Sequence, residues 1–111
     1  MIFTLGESLM DVIHSYDGAT VSKPGGSMLN VAVSLSRSGN EVSLVSELGD
    51  DVTGLQLLEF LQENHVKTDF ITIYKNYKTS KAIATLDKDS KPSYTFRKAY
   101  PNKRGLVNPP V

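Results

Sequence analysis

The sequence predicts an α/β fold, in which the strands of a parallel central sheet alternate with helices and a smaller β structure is added. First, short apolar runs alternate with stretches of helical periodicity between residues 2 and 74. Second, glycines stand near the ends of these segments, where the chain must turn. Third, two β-type runs flank a polar turn after residue 77, a pattern typical of a hairpin.

Composition places the chain among small globular domains. Its 111 residues are 40% hydrophobic and 22% charged, which fits a single domain. No apolar run reaches the roughly 18 residues of a membrane span, and the first residues lack the basic start of a signal peptide. The sequence contains no cysteine, so disulfides and thiolate metal sites are excluded and a cytoplasmic location is expected.

The net charge is zero, but the two parts of the chain differ in sign. Residues 1–66 contain nine acidic and two basic side chains, whereas residues 67–111 contain three acidic and ten basic ones. A basic segment can indicate nucleic acid or an anionic ligand, although a solvated surface is the commonest outcome. His14 and His65 have no neighbours at metal-ligand spacing, so no metal site is predicted.

The first third of the chain is predicted to contain three short strands. Residues 2–5 form an apolar run that ends at Gly6. A second strand is predicted over residues 11–16 and a returning strand over residues 19–22, because Asp17-Gly18 between them is a strong hairpin signal.

Two glycines, Gly25 and Gly26, precede a helix predicted over residues 27–38, with Ser27 as its N-cap. Asn30 falls one turn into this helix, and its amide both donates and accepts hydrogen bonds. Free N–H groups at the helix start, together with this amide, suit a neutral polyhydroxylated ligand. A glycine turn before an ordinary helix is the commoner alternative for so short a motif.

Asp11 is a second candidate binding residue. A carboxylate can accept hydrogen bonds from two hydroxyl groups at once. The alternative role is that of a loop acid that caps nearby backbone N–H groups. The position of Asp11, shortly before the glycines and Asn30, favours a contact with the same ligand.

The middle of the chain predicts a strand over residues 41–48, a helix from about residue 50 to 64 and a strand over residues 68–74. Gly49 and Gly54 have the spacing of a P-loop, but Leu and Gln follow them instead of Lys and Ser or Thr, so a Walker A site is excluded. Three residues of the helix have spacing that favours burial: Leu55, Leu58 and Leu61.

The last part of the chain is predicted to be a hairpin followed by a loop. Its strands cover residues 80–86 and 93–97, and Tyr94 and Phe96 share one face. Residues 99–111 are rich in proline, glycine and basic residues without periodicity, which indicates a loop or linker.

One set of spaced residues resembles the first signature of the PfkB (ribokinase-like) family of carbohydrate kinases. It comprises Gly25, Gly26, Asn30, Ala32, Gly39 and Gly49, with Asp11 before them. Met28 departs from the family pattern, which has Gly, Ala or Pro at this position. The resemblance covers residues 2–97, and residues 6–11 are most similar to fructokinases and 2-keto-3-deoxygluconate kinases.

This resemblance implies a ribokinase-like α/β core formed by residues 1–10 and 25–78. It implies a small β lid over the sugar, formed by about residues 11–22 and 79–98, with residues 99–111 as a tail. Because lids of this kind often pair with a second subunit, a homodimer is expected. The family fold is longer than 111 residues, so the parallel sheet is expected to be incomplete at the C-terminus.

The resemblance also implies a reaction, the ATP- and Mg²⁺-dependent phosphorylation of a sugar hydroxyl. Fructose, ribose and 2-keto-3-deoxygluconate are the substrates considered. Asp11 and Asn30 are expected to bind sugar hydroxyls, Gly25 and Gly26 to provide backbone contacts, and Arg97 to assist at the rim, particularly with an acidic sugar. Neither a membrane nor a nucleic acid is an expected partner.

The second signature of the family, Asp-Thr-x-Gly-Ala-Gly-Asp, carries the anion hole and the catalytic base and is absent from this sequence. The nucleotide-binding loops are absent as well. No catalytic residue and no motif for ATP or Mg²⁺ is therefore assigned within the 111 residues. The chain alone is expected to hold a sugar but to be inactive, since phosphoryl transfer depends on those missing groups.

Two other functions fit parts of the sequence. The basic, aromatic segment 94–98 could make this a nucleic-acid or other anion-binding module, in which aromatic rings stack on bases. That function leaves the spacing of the glycines and Asn30 unexplained. The chain could also be an interaction or lid segment with no ligand of its own.

Overall fold

The computed structural model describes residues 1–98 and 100, so the predicted tail lies outside the described residues except for Tyr100. The described part contains seven strands and two helices. In chain order these are β1 (Ile2–Leu5), β2 (Leu9–His14), β3 (Thr20–Gly25), α1 (Ser27–Arg37), β4 (Val42–Gly49), α2 (Val52–Glu63), β5 (Ile71–Tyr74), β6 (Lys81–Leu86) and β7 (Pro92–Arg97).

The first sheet is parallel and has three strands in the order β1-β4-β5. Ile2 lies opposite Val42, and Ser46 lies opposite Ile71, which fixes the register of both ladders. Every residue of the central strand β4 is buried. This continuous burial is typical of a parallel strand covered on both faces, and it confirms the predicted α/β class.

The second sheet has four strands in the order β3-β2-β6-β7. β2 pairs antiparallel with β3, and β6 pairs antiparallel with β7, so each pair is a hairpin. The two hairpins join through a parallel ladder between β2 and β6, in which Asp11 lies opposite Ala82. Segments far apart in the sequence therefore form one continuous sheet.

Both sheets contribute to a single hydrophobic core. α1 packs on β1 and β4, whereas α2 lies between β4 and β2. Met10 and Val12 point from β2 into the core that also contains Leu44, Leu48 and Leu61. The inner face of the second sheet is thus fixed to the α/β layer, while its opposite face is left uncovered within the described residues.

The start of α1 differs from the prediction that Ser27 is the N-cap. The N-cap is Gly26, which has φ 104° and no side-chain cap, and Ser27 is the first helical residue. A Cβ atom at residue 26 would overlap the backbone oxygen of Glu7. Close packing against the β1–β2 loop therefore requires glycine here, and it outweighs the preference of Ser for a cap.

The buried face of α2 also differs from the predicted one. Leu61 is buried as expected, but Leu57 is the second fully buried leucine, and Leu55 is 54% exposed. Gly54 is buried against the backbone oxygen of Gly49, which brings the helix start close to β4. This contact rotates the helix so that residues 54, 57 and 61 face inward.

Candidate functional site

The loop from β3 into α1 forms the first part of the candidate site. Gly25 is the last residue of β3, and Gly26 immediately caps α1. No side chain accepts a hydrogen bond from the first N–H groups of α1, which also have no acceptor within the helix. The helix start therefore presents free donors and a positive dipole end.

Asp11 places a carboxylate directly beside this helix start. It lies in the middle of β2, opposite Lys23 of β3 and Ala82 of β6. A Cβ atom at Gly25 would overlap Oδ2 of Asp11, so the carboxylate occupies the space that the glycine leaves free. The predicted neighbours Asp11, Gly25 and Gly26 are thus brought together by the β2–β3 hairpin.

A pocket of about 290 Å³ opens on the face of the second sheet that carries Asp11. Its walls come mainly from residues at alternate positions of neighbouring strands, such as Asp11 and Ile13 of β2 and Ala82 and Ala84 of β6, as expected for one sheet face. The lining residues are Asp11, Val12, Ile13, Lys23, Ala82, Ala84, Leu86, Pro92 and Tyr94. The pocket is therefore mainly apolar, with the carboxylate and one lysine as its charged groups.

Asn30 lies one turn into α1 and is exposed. Its backbone N–H donates to the oxygen of Gly26 at 3.1 Å, which places it directly above the cap. Asn30 is not among the residues that line the pocket with Asp11. Its amide and the Asp11 carboxylate belong to the same region of the molecule, and their convergence on one ligand stays a prediction.

Arg97 is not brought together with Asp11. Asp11 lies opposite Ala82, and Ala82 lies opposite Phe96, so Phe96 shares the face of Asp11. Arg97 is the next residue and projects from the other face, where it lines a different pocket. Arg97 therefore lies on the other face of the sheet from Asp11, because a one-residue step along a strand reverses the face, and its contact with a sugar stays a prediction.

Two residues near the helix start were missed by the sequence reasoning. Nζ of Lys98 lies 3.3 Å from Oε1 of Glu7, which links the end of β7 to the β1–β2 loop. The backbone oxygen of the same Glu7 lies against Gly26. Lys98 thus contacts the loop that packs against the glycine turn. The sequence alone could not show that Lys98 makes this contact and Arg97 does not, because that depends on the register of β7 in the sheet.

Asp51 anchors the start of α2 and has a perturbed pKa. Burial raises its pKa, but hydrogen bonds from Oγ1 of Thr79, from the Gly54 N–H and from the Thr79 N–H outweigh burial and leave the pKa lowered. These bonds measure 2.7, 2.9 and 3.0 Å. Asp51 is therefore a helix cap that also ties α2 to the segment before β6.

The described residues contain neither a candidate metal-ligand cluster nor a candidate membrane-spanning helix. Within residues 1–98 and 100, no group of three or more His, Asp or Glu side chains is arranged to hold a metal ion. In the same part of the chain, neither helix is long and apolar enough to cross a bilayer.

Comparison with known proteins gives consistent matches. The family model described as pfkB family carbohydrate kinase matches residues 1–104. A fructokinase from Solanum tuberosum is 32% identical over 103 residues, a match that covers 86% of this chain and 32% of the relative. The crystal structure of fructokinase from Xylella fastidiosa is 32% identical, with a TM-score of 0.79, and the match covers 87% of this chain and 33% of that one.

A second crystal structure of the Xylella fastidiosa fructokinase, with bound ATP, gives a similar match. It is 31% identical, with a TM-score of 0.78, and the match covers 87% of this chain and 32% of that chain. The chain thus spans about a third of the length of the curated relatives it matches.

Proposed function

The chain belongs to the pfkB family of carbohydrate kinases, and we propose that it forms the sugar-binding and lid-forming portion of a kinase that phosphorylates a sugar hydroxyl with ATP. Fructose is the proposed sugar, because relatives at 32% identity are named fructokinases. The ATP-bound crystal structure of one such relative supports ATP as the phosphoryl donor. We also propose a cytoplasmic location, supported by the absence of cysteine.

The observation that carries this proposal is the carboxylate of Asp11 beside the glycine turn at the start of α1. A sugar hydroxyl donates a hydrogen bond through its proton and accepts one through its oxygen. Asp11 supplies an acceptor, and the free N–H groups at Gly26 and beyond supply donors. Asn30, one turn further along, supplies both, so these residues together match the hydroxyls of one sugar.

We propose that the second sheet is the lid of the kinase. In this division, residues 11–22 and 79–98 form the lid, residues 1–10 and 25–78 the α/β core, and residues 99–111 a tail. The face that carries Asp11 also carries Tyr94 and Phe96, which are 77% and 52% exposed. Such an uncovered aromatic face supports the proposal that two lids pack together in a homodimer.

The proposal assigns sugar binding, and not catalysis, to this chain. We propose that Mg²⁺ acts with ATP in the complete kinase; the described residues of this chain contain no group of three or more His, Asp or Glu side chains that could hold the ion. The sequence also lacks a Walker A motif and the second family signature. No step of phosphoryl transfer is therefore assigned to these residues, and the chain alone is expected to bind fructose without turnover.

A fructose titration by calorimetry tests this proposal. We expect Asp11→Asn to weaken fructose binding at least about tenfold, because a hydrogen bond to a charged acceptor contributes roughly 1.5–3 kcal/mol. The amide has the same shape as the carboxylate, so the contact with Gly25 is kept. Asp69→Asn, which changes an exposed aspartate elsewhere, is the matched control.

Two results would overturn the assignment. If Asp11→Asn binds fructose as tightly as the unaltered chain, the carboxylate is not a sugar ligand. If the unaltered chain binds neither fructose nor the other sugars considered, the chain does not hold a sugar by itself. Circular dichroism of each variant checks that the fold is retained.

A further inference from the structure

The loop between β1 and β2, residues 6–8, is fixed to two other parts of the molecule through its backbone and a buried side chain. The backbone oxygen of Glu7 lies against Gly26, in the space that a Cβ atom of residue 26 would need. Ser8 is fully buried, and its Oγ lies 2.7 Å from Oγ of Ser46 in β4. The loop therefore joins the glycine turn to the parallel sheet.

The carboxylate of Glu7 adds a contact with the second sheet. Nζ of Lys98, the first residue after β7, lies 3.3 Å from Oε1 of Glu7. This oxygen is buried and accepts no hydrogen bond from the described residues. Within that part of the chain, the ammonium group of Lys98 is therefore the charge that compensates the buried oxygen.

The strand that ends at Lys98 has little else to hold it in place. β7 lies at the edge of the second sheet, and all six of its residues are exposed. Because buried apolar contacts oppose local opening, an exposed edge strand opens more easily than a core strand. The Glu7–Lys98 pair ties the end of β7 to a loop that is itself fixed by Ser8, so it limits where this end can lie.

We propose that Glu7 is a positioning residue that couples the lid to the sugar site. Its carboxylate holds the end of β7 through Lys98, and its backbone oxygen packs on Gly26. This inference rests on the proposed function, because it concerns the same site and the same lid. Ordering of β7 then strengthens sugar binding at the glycine turn, and by thermodynamic reciprocity a bound sugar orders β7.

The alternative is an ordinary surface ion pair, which contributes little to stability. The buried oxygen separates the two cases. If Lys98 compensates that charge, removing the cation alone leaves it uncompensated, whereas removing both charges does not. We therefore expect Lys98→Gln to be more disruptive than the double variant Glu7→Gln/Lys98→Gln.

Amide hydrogen exchange of the 111-residue chain, measured without sugar, tests the contact itself. We expect Lys98→Gln to speed exchange in β7 at least about fivefold, whereas Lys98→Arg, which keeps the cation, should retain the parent rates. The Lys98 and Glu7 side chains are 39% and 35% exposed, so salt at about 0.5 M should also speed exchange in the parent. The matched control is Lys91→Gln, in the exposed β6–β7 turn.

A fructose titration by calorimetry tests the coupling. Lys98→Gln should weaken fructose binding about fivefold, the lower end of typical coupling between sites, whereas Lys98→Arg and Lys91→Gln should bind as the parent does. The effects of Glu7→Gln and Lys98→Gln should not add, because both changes break the same contact.

Three results would overturn the proposal. Exchange in β7 that is unchanged in Lys98→Gln, or that is equally fast in Lys98→Arg, would show that the ion pair does not hold the strand. Faster exchange with unchanged fructose affinity would show that the strand is not coupled to the site. An unaltered chain that binds no fructose would overturn the sugar site and the coupling together, and exchange in β7 would then still show whether the pair holds the strand.

Discussion

Asp51 joins two elements through one side chain. Its Oδ1 accepts from the Gly54 N–H and from Oγ1 of Thr79, and its Oδ2 accepts from the Thr79 N–H. The ionised form can accept all of these bonds, whereas the protonated form must use one oxygen as a donor. The lowered pKa of Asp51 therefore means that the fold favours the carboxylate.

This preference predicts a pH-dependent stability. A group with a lowered pKa in the folded state stabilises the protein above its unfolded pKa, about 3.9 for aspartate, and this contribution disappears as the pH falls through the folded value. At pH 7 we expect Asp51→Asn to lower the free energy of unfolding by about 1 kcal/mol. Urea unfolding from pH 7 to pH 2.5 should show this difference shrinking below about pH 4.

Asn remains a good N-cap, so Asp51→Asn can keep the bond from the Gly54 N–H while it removes the charge and the oxygen that accepts from the Thr79 N–H. Asp89→Asn, at an exposed turn position, is the control, and it should show no comparable pH-dependent loss. A constant difference between Asp51→Asn and the parent across this pH range would contradict the role of the carboxylate.

The glycine turn shows which features of the site can be predicted from single residues and which cannot. The two glycines predicted a tight approach of the backbone, and Gly26 does adopt a positive φ against Glu7. The identity of the cap could not be predicted, because it depends on a contact with a loop about 20 residues earlier. Gly39, after the end of α1, has φ 93° and confirms the helix stop expected from the sequence.

Among the elements, the β6–β7 hairpin presents chemically different side chains on its two faces. One face presents Tyr94 and Phe96 beside the Asp11 pocket, and the other presents Lys81 and Arg97 beside α2. The sequence predicted the hairpin and the shared face of the two aromatic residues. It could not predict which face meets Asp11, because that depends on the parallel register of β2 and β6, which no local pattern encodes.

The aromatic face predicts self-association of the hairpin. If two lids pack together, Phe96→Ser should weaken dimerisation at least about tenfold, because burying a phenylalanine side chain contributes roughly 1.5–3 kcal/mol. Sedimentation velocity over a range of protein concentrations measures this change. Val52→Ser, which alters an even more exposed apolar residue on α2, should leave the association unchanged.

Two results would contradict this account of the hairpin. The unaltered chain could be monomeric at every concentration, in which case the aromatic face has no partner copy. Alternatively, Phe96→Ser and Val52→Ser could dimerise equally well, in which case the contact lies elsewhere on the surface.

At the scale of the whole molecule, the two sheets share one core and cannot be treated as independent units. Met10 and Val12 of β2 are buried with Leu44 and Leu48 of the parallel sheet. The inner part of the proposed lid is therefore fixed, and the exposed edge strands β3 and β7 are the parts with fewest packing constraints. The alternation of strands and helices in the sequence predicted the fold class. The shared core could not be predicted in the same way, because it depends on packing between segments that are far apart in the sequence.

The central claim is that a sugar binds where Asp11 meets the start of α1. Backbone amide chemical shifts of the ¹⁵N-labelled chain, recorded during a fructose titration, test it most directly. We expect saturable shifts at Asp11, Gly25, Gly26 and Asn30, with little change at Lys91 in the exposed β6–β7 turn. Shifts that are absent, or that are confined to residues away from the glycine turn, would contradict the claim.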